Sequence, residues 1–167
     1  MVHFLGEYEI RVDAKKRIML PAALKKQLGD VVRFVINRSF DKCLNLYPYD
    51  MWQEIDSELG KLNPFVKKER DFVRFVRGGA TEVTLDGQGR INLPQRLMKY
   101  ANIESDLILL GNGDVIEMWD LETYESMLDI DPEDFSALAE EVMVKQAEIE
   151  PPHESFDDSI VVPILRR

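Results

Sequence analysis

Apolar and polar residues alternate through Tyr8, Ile10 and Val12 and again through Ile18 and Leu20, the period-two pattern of strands buried on one face. Asp13-Ala14-Lys15-Lys16-Arg17 lies between them as a short polar connection, so the pattern predicts a β-hairpin with cations at its tip. Pro21 follows, its fixed φ suited to the first turn of a helix, and residues 22–28 read as that helix. Two more strands are predicted at 31–37 and 44–47. An amphipathic helix at 50–59, with Trp52, Ile55 and Leu59 on one face, closes the unit.

The same order then recurs. At an offset of 73 residues, Glu9, Asp13, Arg17, Ile18, Leu20, Pro21 and Leu24 fall on Glu82, Asp86, Arg90, Ile91, Leu93, Pro94 and Leu97. Seven identities in sixteen positions mark an internal duplication. The second turn is Asp86-Gly87-Gln88-Gly89-Arg90, whose glycines supply the positive φ angles a narrow turn needs. A helix at 95–101, strands at 107–110 and 115–119, and a helix at 122–128 carrying Tyr124 and Leu128 complete the second copy.

Between the copies, Asn63-Pro64 opens a stretch with Phe65, Phe72, Val73, Phe75 and Val76 at helical spacing, which predicts a packed connecting helix. After the second copy, Asp131 and Pro132 open an acidic helix at 131–150 with Phe135, Leu138, Ala139 and Val142 as a partial apolar face. Beyond Pro151-Pro152 come an acidic stretch and the apolar run 160–165, which has a sheet edge or a neighbouring subunit as candidate docking places. The expected organisation is a first repeat at 1–62, a connecting helix at 63–79, a second repeat at 80–128 and an acidic extension at 129–167. Units this small bury little surface alone, so the repeats are expected to share one core in an α+β fold.

Charge changes the picture through its distribution. The chain of 167 residues has a formal net charge of −10. Residues 1–113 nevertheless carry 18 Lys/Arg against 15 Asp/Glu, and residues 114–160 carry one Lys against 16 Asp/Glu. The first forty residues hold eight cations and four acidic groups, enough for a local basic face.

Several function classes drop out. Cys43 is the single cysteine, with His3 and His153 distant from it, so no disulfide and no zinc site of ordinary spacing is expected; Cys43 reads as a small core residue. No cofactor or small-molecule substrate is implied. Arg77-Gly78-Gly79-Ala80-Thr81 and the second turn lack the strand-loop-Lys context of a phosphate cradle, and nothing resembles a catalytic constellation, so an enzyme is not expected. Neither a signal segment nor a membrane span is visible, which predicts a cytoplasmic protein.

Two Asp-x-x-x-Arg turns in register, each followed by a strand and Pro, resemble the MraZ family. Phe4-Leu5-Gly6-Glu7-Tyr8, Cys43-Leu44 with Leu46-Tyr47-Pro48 and Trp52, Gly79-Ala80-Thr81-Glu82 and Glu117-Met118-Trp119-Asp120 add to the likeness, which covers residues 1 to 128. Lys16 stands where the family's first turn usually has glycine. The resemblance implies two tandem AbrB-like swapped-hairpin units packed as one pseudo-symmetric domain, with the acidic helical extension beyond. It also implies self-association into a ring of roughly eight or more subunits. As function it implies a nucleoid-associated transcriptional regulator, a repressor in our reading, binding short direct repeats in the promoter of the cell-division and cell-wall gene cluster, its own operon included.

Among the residues, Arg17 leads as a DNA contact, since its guanidinium can grip a phosphate or the guanine edge in two-point fashion. It can equally bridge the turn to Asp13, and the two roles are compatible. Lys15, Lys16 and Arg11 accompany it on double-stranded DNA, and Arg38 is a further candidate. Arg90 lacks cationic neighbours and is expected, with Asp13 and Asp86, to shape the turns. The competing reading is an oligomeric scaffold that binds protein without DNA.

Overall fold

A computed structural model describes residues 2–149. The first half runs β1 (Phe4–Arg11), β2 (Arg17–Met19), α1 (Ala22–Leu28), β3 (Arg33–Arg38), β4 (Leu44–Pro48) and α2 (Tyr49–Gly60). Helix α3 (Lys67–Gly79) leads into β5 (Thr81–Thr84), β6 (Arg90–Asn92), α4 (Gln95–Tyr100), β7 (Asp106–Gly113), β8 (Val115–Asp120) and α5 (Leu121–Leu128), and α6 (Pro132–Ile149) follows. The fold is therefore mixed α and β, with strands paired antiparallel throughout the described residues. The alternation does what it predicted in β1: Glu7, Glu9 and Arg11 are exposed while Tyr8 and Ile10 are half-buried. Pro21 and Pro94 sit one residue before their helices, extended at ψ 144° and 128°, rather than inside the first turn.

The pairing departs from a simple hairpin. β1 and β2 flank the first turn, yet neither is the other's partner. β1 pairs with β7 from Phe4↔Gly113 to Arg11↔Asp106, and β2 pairs with β6 through Arg17↔Asn92, Ile18↔Ile91 and Met19↔Arg90. β5 likewise pairs with β3 of the first half. The large sheet has the order β1-β7-β8-β4-β3-β5, and β2-β6 forms a separate ribbon. Exchanging the two halves reverses this order and leaves it otherwise unchanged. A local sequence pattern specifies a strand and its buried face but not its partner, which is why the hairpin expectation failed.

Exchange puts one core between the halves. Ile18 and Ile91, opposite each other in the ribbon, are almost completely buried and pack in one cluster with Phe34, Leu46, Leu107 and Met118. The close approach of β1 to β7 requires Gly111, where a Cβ would lie 2.5 Å from the Leu5 backbone nitrogen. Asn37 ties α3 to β3: its Nδ2 donates to the Val76 carbonyl at 2.7 Å and its Oδ1 accepts from the Arg38 backbone N–H at 2.8 Å. Cys43 is buried against Ile108, Trp119 and Tyr124, and burial pushes its thiol up to about 12. It is a packing residue.

The chain divides into two compact units, the first ending at Tyr124 and the second beginning at Glu125. The first contains both sheets. The second contains the end of α5, where Leu128 is exposed, and α6, where Phe135, Leu138 and Val142 are exposed as well. In the connection between the copies only 67–79 is helical; Phe65 lies outside the helix and is 93% exposed, so it is not part of the packed face expected for it. The tail from 150, including the apolar run 160–165, lies outside the described residues.

Candidate nucleic-acid interface

The two Asp-x-x-x-Arg turns are copies of one another to the atom. Asp13 Oδ1 accepts the backbone N–H of Lys15 at 2.8 Å and of Arg17 at 2.9 Å, and its Oδ2 accepts Arg17 Nε at 2.8 Å. Asp86 does the same for Gln88, Arg90 and Arg90 Nε at 2.9, 2.9 and 2.8 Å. Bonds to the charged carboxylate favour the ionised form, so both aspartates are held below the usual range, chiefly by the backbone N–H of Arg17 and of Arg90. A group so depressed adds stability above its unfolded value of 3.8 and loses it as the pH falls through the folded one. The spacing has a plain cause: a carboxylate at the first position reaches two backbone donors across the turn, and the arginine four residues on closes the ring.

The two turns also share a backbone angle. Lys16 has φ 60° and Gly89, its counterpart at the offset of 73, has φ 78°. Lys16 N–H donates to the Asp13 carbonyl at 3.1 Å, and its own carbonyl accepts Leu93 N–H at 2.8 Å. Gly89 makes the mirrored bonds to the Asp86 carbonyl and from Leu20 N–H. The turns thus stand at opposite ends of the β2–β6 ribbon, about 14 Å apart at four residue steps.

Lys15 and Lys16 are exposed at the first tip. Arg17 is anchored behind them, its side chain 23% exposed, with Nε held by Asp13. Arg11 projects from the end of β1, 76% exposed, where Asp106 pairs with its Nε at 2.9 Å. These four cations all lie within residues 11–17. Arg38 does not join them. Its Nη2 donates to the Phe75 carbonyl at 2.7 Å and its guanidinium lies over the Phe75 ring, so it faces α3. Its position at the end of β3, beside the start of β4, carries it there.

One cation escaped sequence reasoning. Lys25 on α1 reaches the second turn, where a Cβ on Gly89 would come 2.6 Å from its Nζ. The first turn carries its own lysines, while the second borrows one from the other half. The glycine in place of Lys16 was the available signal, since it leaves open the space a neighbouring side chain fills. Among the described residues no three His, Cys, Asp or Glu side chains are grouped to hold a metal ion, and no helix is long and apolar enough to cross a membrane.

Comparison with known proteins places this geometry in context. The family model for the MraZ protein matches the chain twice, over residues 3–75 and 77–146, one match to each half. A protein of Christiangramia forsetii named "Transcriptional regulator MraZ" is 42% identical over 146 residues, covering 86% of this chain and 94% of that protein. One of the same name from Flavobacterium psychrophilum is 42% identical over 142 residues, covering 83% and 90%.

Proposed function

Because the chain belongs to the MraZ family, we propose that it is a DNA-binding transcriptional regulator whose contact surface is the first Asp-x-x-x-Arg turn. The observation that carries this reading is Lys16. It keeps a long cationic side chain at a positive φ, where the twin turn uses glycine. A left-handed backbone costs a side-chain-bearing residue about 1 kcal/mol, so the charge at this spot has a use that outweighs the strain. Lys15, Lys16 and Arg11 supply phosphate contacts, and Arg17, oriented by Asp13, offers its guanidinium to a phosphate or a guanine. Asp86 and Arg90 shape the second turn. Arg38, turned toward α3, is left out of the contact set.

The strand exchange between the halves supports reading the fold as two AbrB-like swapped-hairpin units in one pseudo-symmetric domain. A few phosphate contacts per chain bind weakly, and self-association into a ring of roughly eight or more subunits multiplies them through effective concentration. In this reading the protein works at the nucleoid in the cytoplasm. It represses by binding short direct repeats upstream of the cell-division and cell-wall gene cluster that includes its own operon.

The test is fluorescence anisotropy on the DNA upstream of its own gene, against a fragment with the repeats scrambled. Wild-type protein should prefer the intact fragment. Lys15→Ala with Lys16→Ala should lower the slope of log K against log salt by about 1.8 per engaged chain. Unchanged affinity in a folded double variant would move the reading to a scaffold that binds protein.

A further inference from the structure

Helix α6 carries an apolar stripe that is exposed among the described residues. Phe135, Leu138 and Val142 recur at spacings of three and four, the mark of one helix face, and Phe135 is 62% exposed. Around the stripe, residues 132–146 hold four acidic residues and one lysine. Helix α3 and the turn before it offer the complement. Residues 61–77 hold six cations and two acidic residues. A cavity of about 250 Å3 lies between the end of α2 and α3, with Leu62, Pro64 and Val73 on its apolar side and Glu69, Arg70, Arg74 and Arg77 on its charged side, Arg74 paired with Asp71 and Arg77 with Asp56. Arg70 Nη1 holds the Pro64 carbonyl at 2.8 Å and so keeps the turn open beside it.

In chain order α3 closes the first half as α6 closes the second, so every chain bears one basic seat and one acidic insert. We propose that α6 of one copy docks on the α2–α3 cavity of a second copy, with Phe135, Leu138 and Val142 against its apolar side and Asp134 and Glu141 toward Arg70 and Arg74. A contact between two different surfaces is heterologous and repeats from copy to copy until the assembly closes. Opposite charges select the partner and the orientation, while the apolar stripe supplies the burial. The inference rests on the self-association in the proposed function and names its surface.

A charge exchange in the full-length chain tests it, read as mass by sedimentation velocity. Arg70→Glu with Arg74→Glu makes the seat acidic, and Asp134→Lys with Glu141→Lys makes the insert basic. Each double variant alone is expected at the single-chain mass of 19.4 kDa. An equal mixture is expected to regain the wild-type assembly, since each variant then finds its complement in the other. The proposal is overturned if either variant keeps the wild-type mass, if both dissociate and the mixture does not recover, or if the wild-type chain is itself a monomer with α6 folded onto its own α3. Lys15→Ala with Lys16→Ala should keep the wild-type mass, so a failed DNA reading and a failed interface give different results.

Discussion

Replacing Lys16 by glycine separates charge from conformation in the first turn. The backbone there is fixed from both sides, by the Asp13 carbonyl and by Leu93 N–H, so the positive φ persists whatever side chain occupies the position. Glycine relieves about 1 kcal/mol of left-handed strain, and its extra freedom in the unfolded chain costs about 0.5–1 kcal/mol. The two nearly cancel, and stability should move by less than about 0.5 kcal/mol, a shift of roughly 1–2 °C in Tm. DNA binding should change far more. Losing one phosphate contact per engaged chain lowers the salt slope by about 0.9, so the variant's deficit shrinks about 3.5-fold per contact as salt rises from 50 to 200 mM. Lys16→Ala should show the same binding loss. Thermal melts and anisotropy titrations at three salt concentrations read both quantities. A folded Lys16→Gly protein with the wild-type slope would refute the reasoning, because the charge would then have no phosphate to meet.

Two further outcomes follow from the packing. Gly111→Ala should destabilise by about 1–3 kcal/mol, the usual cost of overpacking, because its Cβ would meet Leu5 backbone and not a movable side chain; a chemical denaturation midpoint unchanged from wild type would show that β1 can move away. The Cys43 thiol, pushed up to about 12 by burial, stays protonated through neutral pH and should resist iodoacetamide in the native protein. Labelling should track unfolding in urea, and rapid labelling of folded protein would contradict the buried position.

Much of the fold was legible because strand and helix periods survive in the sequence: the duplication, the turns and the closing helices fall where the pattern puts them. Partners were not legible. Tyr8, Ile10 and Val12 announce a face to be buried but say nothing of β7, whose matching apolar run lies about a hundred residues on. Within the site, Asp13, Arg17, Asp86 and Arg90 were readable, since their bonds span four residues. Lys25 at Gly89 and Arg38 at Phe75 were not, because each contact joins residues far apart in the chain. The electrostatics of a turn are local, and its company is decided by tertiary structure.

The crossed strands also set a timetable for synthesis. β1 has no resting place until β7 exists, and residue 113 leaves the ribosome well after residue 4. At elongation rates of roughly 5–20 residues per second, the amino-terminal strand waits about 5–20 s with its backbone donors and acceptors for β7 unpaired. An unpaired strand edge of this kind is a ready template for pairing with another chain, so the nascent first half should need shielding until β7 arrives.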